Sequence, residues 1–164
     1  MSKRATKLTH TDASGAARMV DVGGKRATRR QAQARGRVVF NARSFAALKD
    51  NRLAKGDALA VARLAGLQAA KRTAEWIPLC HTVPLEHLDV EIALDDESRA
   101  AVVTTVAAAR WSTGVEMEAL VAATGACLAL YDMAKALDRG IRIEEVVLVE
   151  KSGGRSGHWK RRGR

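Results

Sequence analysis

The chain has 164 residues and a mass of 17.6 kDa, with 47% apolar and 28% charged residues. That size and balance fit one globular domain with its own core, and exclude both a disordered chain and a scaffold that depends on disulfides. Lys and Arg number 28 against 18 Asp and Glu, a formal charge of +10, which directs attention to polyanionic partners. Aromatics at 4% are thin provision for a module that stacks nucleic-acid bases.

The charge is uneven along the chain. Residues 1–37 carry ten Lys/Arg and two acids, residues 38–150 are net −4, and residues 151–164 hold six basic groups and no acid. A mildly acidic body therefore lies between two basic ends, which read equally as solvated termini. The expected organisation is a flexible basic segment at 1–18, a single domain at 19–157 and a basic tail at 158–164.

The longest uncharged apolar-rich run, Ala119 to Tyr131, is shorter than a bilayer span, so no membrane segment is expected. The opening MSKRATKLTHTDASG is basic without an apolar stretch behind it, unlike a secretory signal. Cys80 and Cys127 form no CxxC, and the simplest reading is two thiols in a reducing cytoplasm.

In chain order, Gln31 to Phe40 begins with period-two alternation and ends in Val-Val-Phe, which predicts a strand. Ser44 is placed to cap a short helix over FAALKD. Asp57, after Gly56, is placed to cap a longer one from Ala58 to about Thr73, and Pro78 closes that element. Leu88, Val90, Ile92 and Leu94 alternate with Asp89 and Glu91, a half-buried strand. The Asp95–Ser98 turn returns the chain as Ala101–Ala108, its hairpin partner. Thr113-Gly-Val-Glu116 has the form of a capping box, opening a long Ala/Leu-rich helix to about Asp138, with Gly140 to end it. Ile141 to Glu150 is the last strand, too apolar in VVLV for a solvated edge. Strand, helices, hairpin, helix, strand is the split βαβ order, so the expected fold is α+β and ferredoxin-like, an antiparallel sheet with helices on one face.

Three segments carry chemistry. Pro78-Leu79-Cys80-His81 sets a thiol and an imidazole on a loop. Adjacent side chains seldom ligate one ion, and a base must face a thiol rather than follow it, so a substrate-contacting or simply structural His81 stands ahead of zinc or a nucleophile pair. The long helix carries Glu116, Met117 and Glu118 at its start and Asp132 and Lys135 near its end. Asp132 and Lys135 share a face and read either as a surface ion pair or as a general acid/base pair. Glu118 and Asp132 are about 21 Å apart along a helix at 1.5 Å per residue, so one small ligand touching both ends calls for a site between protomers. Lys151-Ser-Gly-Gly-Arg-Ser-Gly157 lets backbone amides curl around an anion beside Lys151 and Arg155, or is a flexible basic tail. It lacks the order of a Walker A loop. Lys55 and Lys71, each read alone as a solvated charge, together with Lys135 and Lys151 make a positive surround suited to a triphosphate.

The blocks MVDVGGK (19–25), KGD (55–57), AGLQAAKRT (65–73), IPLCH (77–81), TGVEMEAL (113–120), YDMAKA (131–136) and KSGGRSG (151–157) fall in order over nearly the whole chain. They resemble the signature blocks of the cyclic pyranopterin monophosphate synthase family, the MoaC-type enzymes of molybdenum cofactor biosynthesis. The resemblance implies a ferredoxin-like fold, a homohexamer built as a trimer of dimers, and active sites between subunits. It implies a lyase that converts a cyclised dihydroguanosine triphosphate, made from GTP by a radical-SAM enzyme, to cyclic pyranopterin monophosphate and pyrophosphate, ahead of molybdopterin synthase. On that likeness Asp132 and Lys135 are catalytic. Leu79, Cys80, His81, Glu116, Met117 and Glu118 bind substrate, and Lys55, Lys71 and Lys151 surround the triphosphate. No resident cofactor or metal is implied; Mg2+ accompanying the triphosphate is compatible with it. Thr82-Val83 departs from the Pro-Leu frequent after Cys-His in the family. The competing readings are a small RNA-binding protein gripping phosphate with its basic ends and a catalytically dead scaffold. The first predicts steeply salt-dependent affinity lost on trimming the ends, and the second conflicts with the intact acid/base residues.

Overall fold

Alternation along residues 28–39 sets the centre of the sheet. In the computed structural model, which describes residues 15–162, this stretch is strand β1 (Thr28–Val39). Ala32, Ala34, Gly36 and Val38 are buried on one face, and Gln33, Arg35 and Arg37 lie on the other. Most of the expected segment 1–18 lies outside the described residues. The chain continues through α1 (Ala42–Lys49), α2 (Ala58–Lys71), the single turn α3 (Thr73–Trp76), β2 (His87–Asp95), β3 (Ala100–Trp111), α4 (Glu116–Ala134), β4 (Arg142–Ser152) and the short β5 (Trp159–Lys160). The sheet order is β2-β3-β1-β4-β5 with every pairing antiparallel. β1 thus sits between β3 and β4, the split βαβ arrangement, and the α+β fold with helices on one face of the sheet is as expected.

α4 lies across β1, β3 and β4, and α2 packs against α4 and β2. By length and composition α4 is apolar enough to cross a membrane, but eleven of its 19 residues are buried. Its hydrophobicity serves the core. Small side chains let the layers close: a methyl group on Gly36 of β1 would lie 2.5 Å from the Cys127 sulfur of α4. The larger core cluster gathers Val38, Phe40, Phe45, Leu48, Leu130 and Ile141, while the other is lined by alanines of β1, β3 and α4 with Val115. Val83 and Leu85 of the loop before β2 pack on the second cluster, so the small-residue half of the core supports the loop that carries Cys80 and His81.

Several local details differ from the pattern-based expectation. Asn41, not Ser44, caps α1, accepting a 2.9 Å bond from the Ser44 amide. Ser44 is buried, and its hydroxyl donates to Asn41 and, at 3.1 Å, to Asp138. Asp57 caps α2 as expected, accepting from the Ala60 amide at 2.9 Å. The Thr113 capping box does not form. α4 starts after Val115 with no side-chain cap, and the Glu116 carboxylate folds back against Gly114 instead. α4 also ends at Ala134 rather than near Asp138, whose carboxylate binds the amides of Asn41 and Gly140. The apolar strand at 141–150 is an edge over most of its length, because β5 pairs only with Glu150 and Lys151. Ion pairs from Arg35 to Glu145 and Arg37 to Glu144, with register shifts opposite them on β1, blunt that edge. Residues 158–162 are correspondingly not only a basic tail, since Trp159–Lys160 adds a strand.

Candidate active site

The end of the sheet where β3 passes into α4 is hollow. Two adjoining cavities of about 570 and 500 Å³ open there and share Lys25, Thr113, Gly114, Glu116 and Arg155 in their walls. The first is basic, with Lys25, Arg26, Arg30, Lys151 and Arg155 around it. The second is lined by Leu79, Cys80, His81, Met117 and Glu118. A smaller space of about 80 Å³ carries Lys71 and again meets His81 and Glu118.

Local backbone chemistry builds the basic wall. Gly153 and Gly154 adopt φ of 96° and 71°, the left-handed region that glycine enters without a Cβ penalty, so the chain curls back after β4. The Lys151 ammonium donates to the Ser156 hydroxyl across that turn. β5 then pairs Trp159 with Lys151 and Lys160 with Glu150. His158 binds the Glu150 carboxylate at 2.6 Å, which fixes the far side of the loop.

The second wall is held by the first turn of α4. Glu118 is only 4% exposed, and burial pushes its carboxyl up to about 7, with the neighbouring Glu116 charge adding to the rise. A carboxyl in that range exchanges protons near neutral pH. The Cys80 thiol is pushed up by burial and then by Glu118, which favours the thiol over the more nucleophilic thiolate.

Asp132 and Lys135 form a separate cluster at the other end of α4. The Lys135 ammonium lies 2.7 Å from Asp132 Oδ1, and Lys55 lies 2.6 Å from Oδ2 and 3.0 Å from the Asp132 carbonyl. Hydrogen bonds from Lys135 and then Lys55 hold the Asp132 carboxyl down at about 2, and the same contact raises Lys135. Lys55 therefore joins the aspartate rather than the basic cavity.

The sequence-expected residues thus fall into two groups. Leu79, Cys80, His81, Glu116, Met117, Glu118 and Lys151 line the joined cavities, Lys71 lines the small space beside them, and Lys55, Asp132 and Lys135 stand at the opposite end of one unbroken helix. Sequence reasoning passed over Lys25, Arg26 and Arg30. Their signal was the dense positive charge before residue 38, read there as terminal.

A ferredoxin-like domain that sets a basic cavity beside one walled by imidazole and carboxyl groups has the make-up of an α+β enzyme. Residues 19–154 match the MoaC family, and the chain belongs to that family. It is 52% identical over 161 residues to the cyclic pyranopterin monophosphate synthase of Chloroflexus aurantiacus, covering 98% of this chain and 99% of the relative. The synthase of Thermomicrobium roseum is 50% identical over 94% of this chain and 93% of its own, and that of Heliobacterium modesticaldum 49% identical over 94% and 97%.

Proposed function

We propose that the chain converts (8S)-3',8-cyclo-7,8-dihydroguanosine 5'-triphosphate to cyclic pyranopterin monophosphate and pyrophosphate, a phosphorus–oxygen lyase step early in molybdenum cofactor biosynthesis. The observation that carries this reading is that the basic cavity adjoins the cavity walled by His81 and Glu118, with Lys25, Thr113, Gly114, Glu116 and Arg155 lining both. One ligand with a polyanionic tail and a polar heterocycle fits both. Lys25, Arg26, Lys151 and Arg155 take the tail, Lys71 stands behind the His81 and Glu118 wall of the other cavity, and Leu79 and Met117 offer apolar contact to the rings.

The chemistry asks for charge neutralisation and proton transfer. A substrate hydroxyl attacks the α-phosphorus, a new P–O bond forms as the bond to the bridging oxygen breaks, and the hydroxyl proton leaves on the pyrophosphate. Negative charge develops on the departing pyrophosphate, where fixed cations act most strongly. Rearrangement of the purine to a pterin needs protons moved between ring and sugar atoms. Lys135 serves as the donor, with Asp132, kept ionised by its two lysines, holding that ammonium in place. Mg2+ would come with the triphosphate as its counter-ion, and Glu116, the carboxylate in the wall of the basic cavity, would face it.

The about 21 Å along α4 between Glu118 and Asp132 requires two copies for one site. The assembly is a homohexamer, a trimer of dimers, in which Asp132, Lys135 and Lys55 act on substrate held by the cavities of a second copy. Charge supports the pairing, since the first turn of α4 carries Glu116 and its far end lies beside Lys55 and Lys135. Antiparallel α4 helices would set acid against base. The two free thiols fit a reducing cytoplasm, between a radical-SAM GTP cyclase and molybdopterin synthase. The test is incubation of the pure protein with the cyclised triphosphate. Release of one pyrophosphate per pterin formed supports the proposal, and an unchanged substrate refutes it.

A further inference from the structure

Of the basic groups around the larger cavity, Arg30 is the one whose guanidinium is engaged by the protein backbone. It stands on β1, the central strand, where β3 ends on one side and β4 on the other. Its Nε donates to the Trp111 carbonyl at 3.2 Å and its Nη2 to the Ser112 carbonyl at 3.4 Å. The other side of the guanidinium rests on the glycine turn: a methyl group on Gly154 would overlap Nη1 and Cζ, and one on Gly153 would come within 3.3 Å of Cδ.

Each segment it touches carries working groups. The 111–112 carbonyls lead through Thr113 and Gly114 into the first turn of α4, which has no side-chain cap to fix it and presents Glu116 and Glu118. The 153–154 turn lies between Lys151 and Arg155. We propose that Arg30 is a positioning residue: its planar fork staples the loop before α4 to the glycine turn after β4, and so sets the spacing between the carboxyl wall and the phosphate-binding cations. The role rests on the basic cavity taking the phosphate tail. A flat guanidinium is required because two carbonyls in a row must be met by neighbouring N–H groups while a face packs on glycine; an ammonium offers a point charge without that geometry. Gly154 is correspondingly a residue that leaves room for the staple as well as one that turns the chain.

The test uses the full-length protein and separates charge from geometry. Arg30→Lys keeps the charge and loses the fork, Arg30→Gln loses both, and Gly154→Ala keeps every charge while displacing the guanidinium and straining the turn at its left-handed φ. Binding of inorganic pyrophosphate is measured by calorimetry for each variant, with KM and kcat for the cyclised triphosphate alongside. The staple predicts that all three weaken pyrophosphate and raise KM by about tenfold with kcat within about threefold, Arg30→Lys faring no better than Arg30→Gln. Wild-type affinity in Arg30→Lys would show that Arg30 is only a cation, and unchanged binding in Gly154→Ala would show that the contact positions nothing; either result overturns the proposal. So does failure of the unmutated protein to bind pyrophosphate. If that protein binds pyrophosphate but does not turn the triphosphate over, the assigned reaction falls while the variant series still decides the staple.

Discussion

Lys55 and Asp132 are 77 positions apart, yet the Lys55 ammonium sits 2.6 Å from one Asp132 oxygen while Lys135 takes the other at 2.7 Å. A carboxylate held between two ammoniums stays ionised down to about pH 2 and is a poor base. In the proposed mechanism it aims its lysines. Asp132→Asn, which keeps the shape and drops the charge, should lower kcat by about 100-fold or more, the scale of a lost proton-transfer group. Because the cluster is exposed, the thermal midpoint should barely move. Lys135→Ala should behave alike. Full turnover in both would remove the pair from the mechanism.

If sites are shared between copies, two dead variants should rescue one another. Asp132→Asn mixed with Glu118→Gln after dissociation and reassembly should recover about a quarter of wild-type activity, since random pairing leaves that share of two-fold sites intact. Activity that never exceeds the sum of the separate variants would place the whole site within one chain.

Glu118 ties the site to pH. Its folded-state carboxyl, raised from 4.5 to about 7 by burial, holds a proton more tightly than the unfolded chain does. That stabilisation is complete below about pH 4.5 and is lost as pH rises through about 7. Glu118→Gln should therefore flatten the pH dependence of unfolding, the difference from wild type between pH 5 and 8 reaching at most about 3 kcal/mol. Denaturant unfolding at several pH values measures it, and parallel curves would mean Glu118 is ionised throughout.

The contact of Gly36 with Cys127 predicts a packing conflict. Gly36→Ala should destabilise by about 1–3 kcal/mol through overpacking. Adding Cys127→Ala should relieve part of that cost, a non-additive cycle read from chemical denaturation. Simple additivity would show that the layers separate freely at that point.

Removing residues 158–164 should weaken substrate binding, raising KM several-fold, because β5 pins the loop that carries Lys151 and Arg155. Kinetics of the shortened chain decide between this and a tail without a role.

Periodicity carried most of the fold. Alternation at residues 88–94 and the Asp57 cap were readable because each depends on neighbours in sequence. Ser44 and Thr113 misled because caps depend on the tertiary fold: the Ser44 hydroxyl is turned to Asn41 and Asp138, and α4 starts only after Val115 with no side-chain cap. Asp132 with Lys135 was legible as an i,i+3 pair, whereas Lys55 arrives from a different helix approach and Arg30 acts across three strands. Neither leaves a local signature. The +10 charge was informative about phosphate but silent about place, since its cavity members come from both ends of the chain.

Labelled phosphate tests the central claim most directly. The cyclised triphosphate is prepared in two forms, with radiophosphorus at the α or the γ position, and each is given to the unmutated protein. The proposed reaction leaves α label wholly in the cyclic monophosphate of the pterin and sends γ label wholly into pyrophosphate. Recovery of α label as inorganic monophosphate, or of γ label as anything other than pyrophosphate, would contradict it.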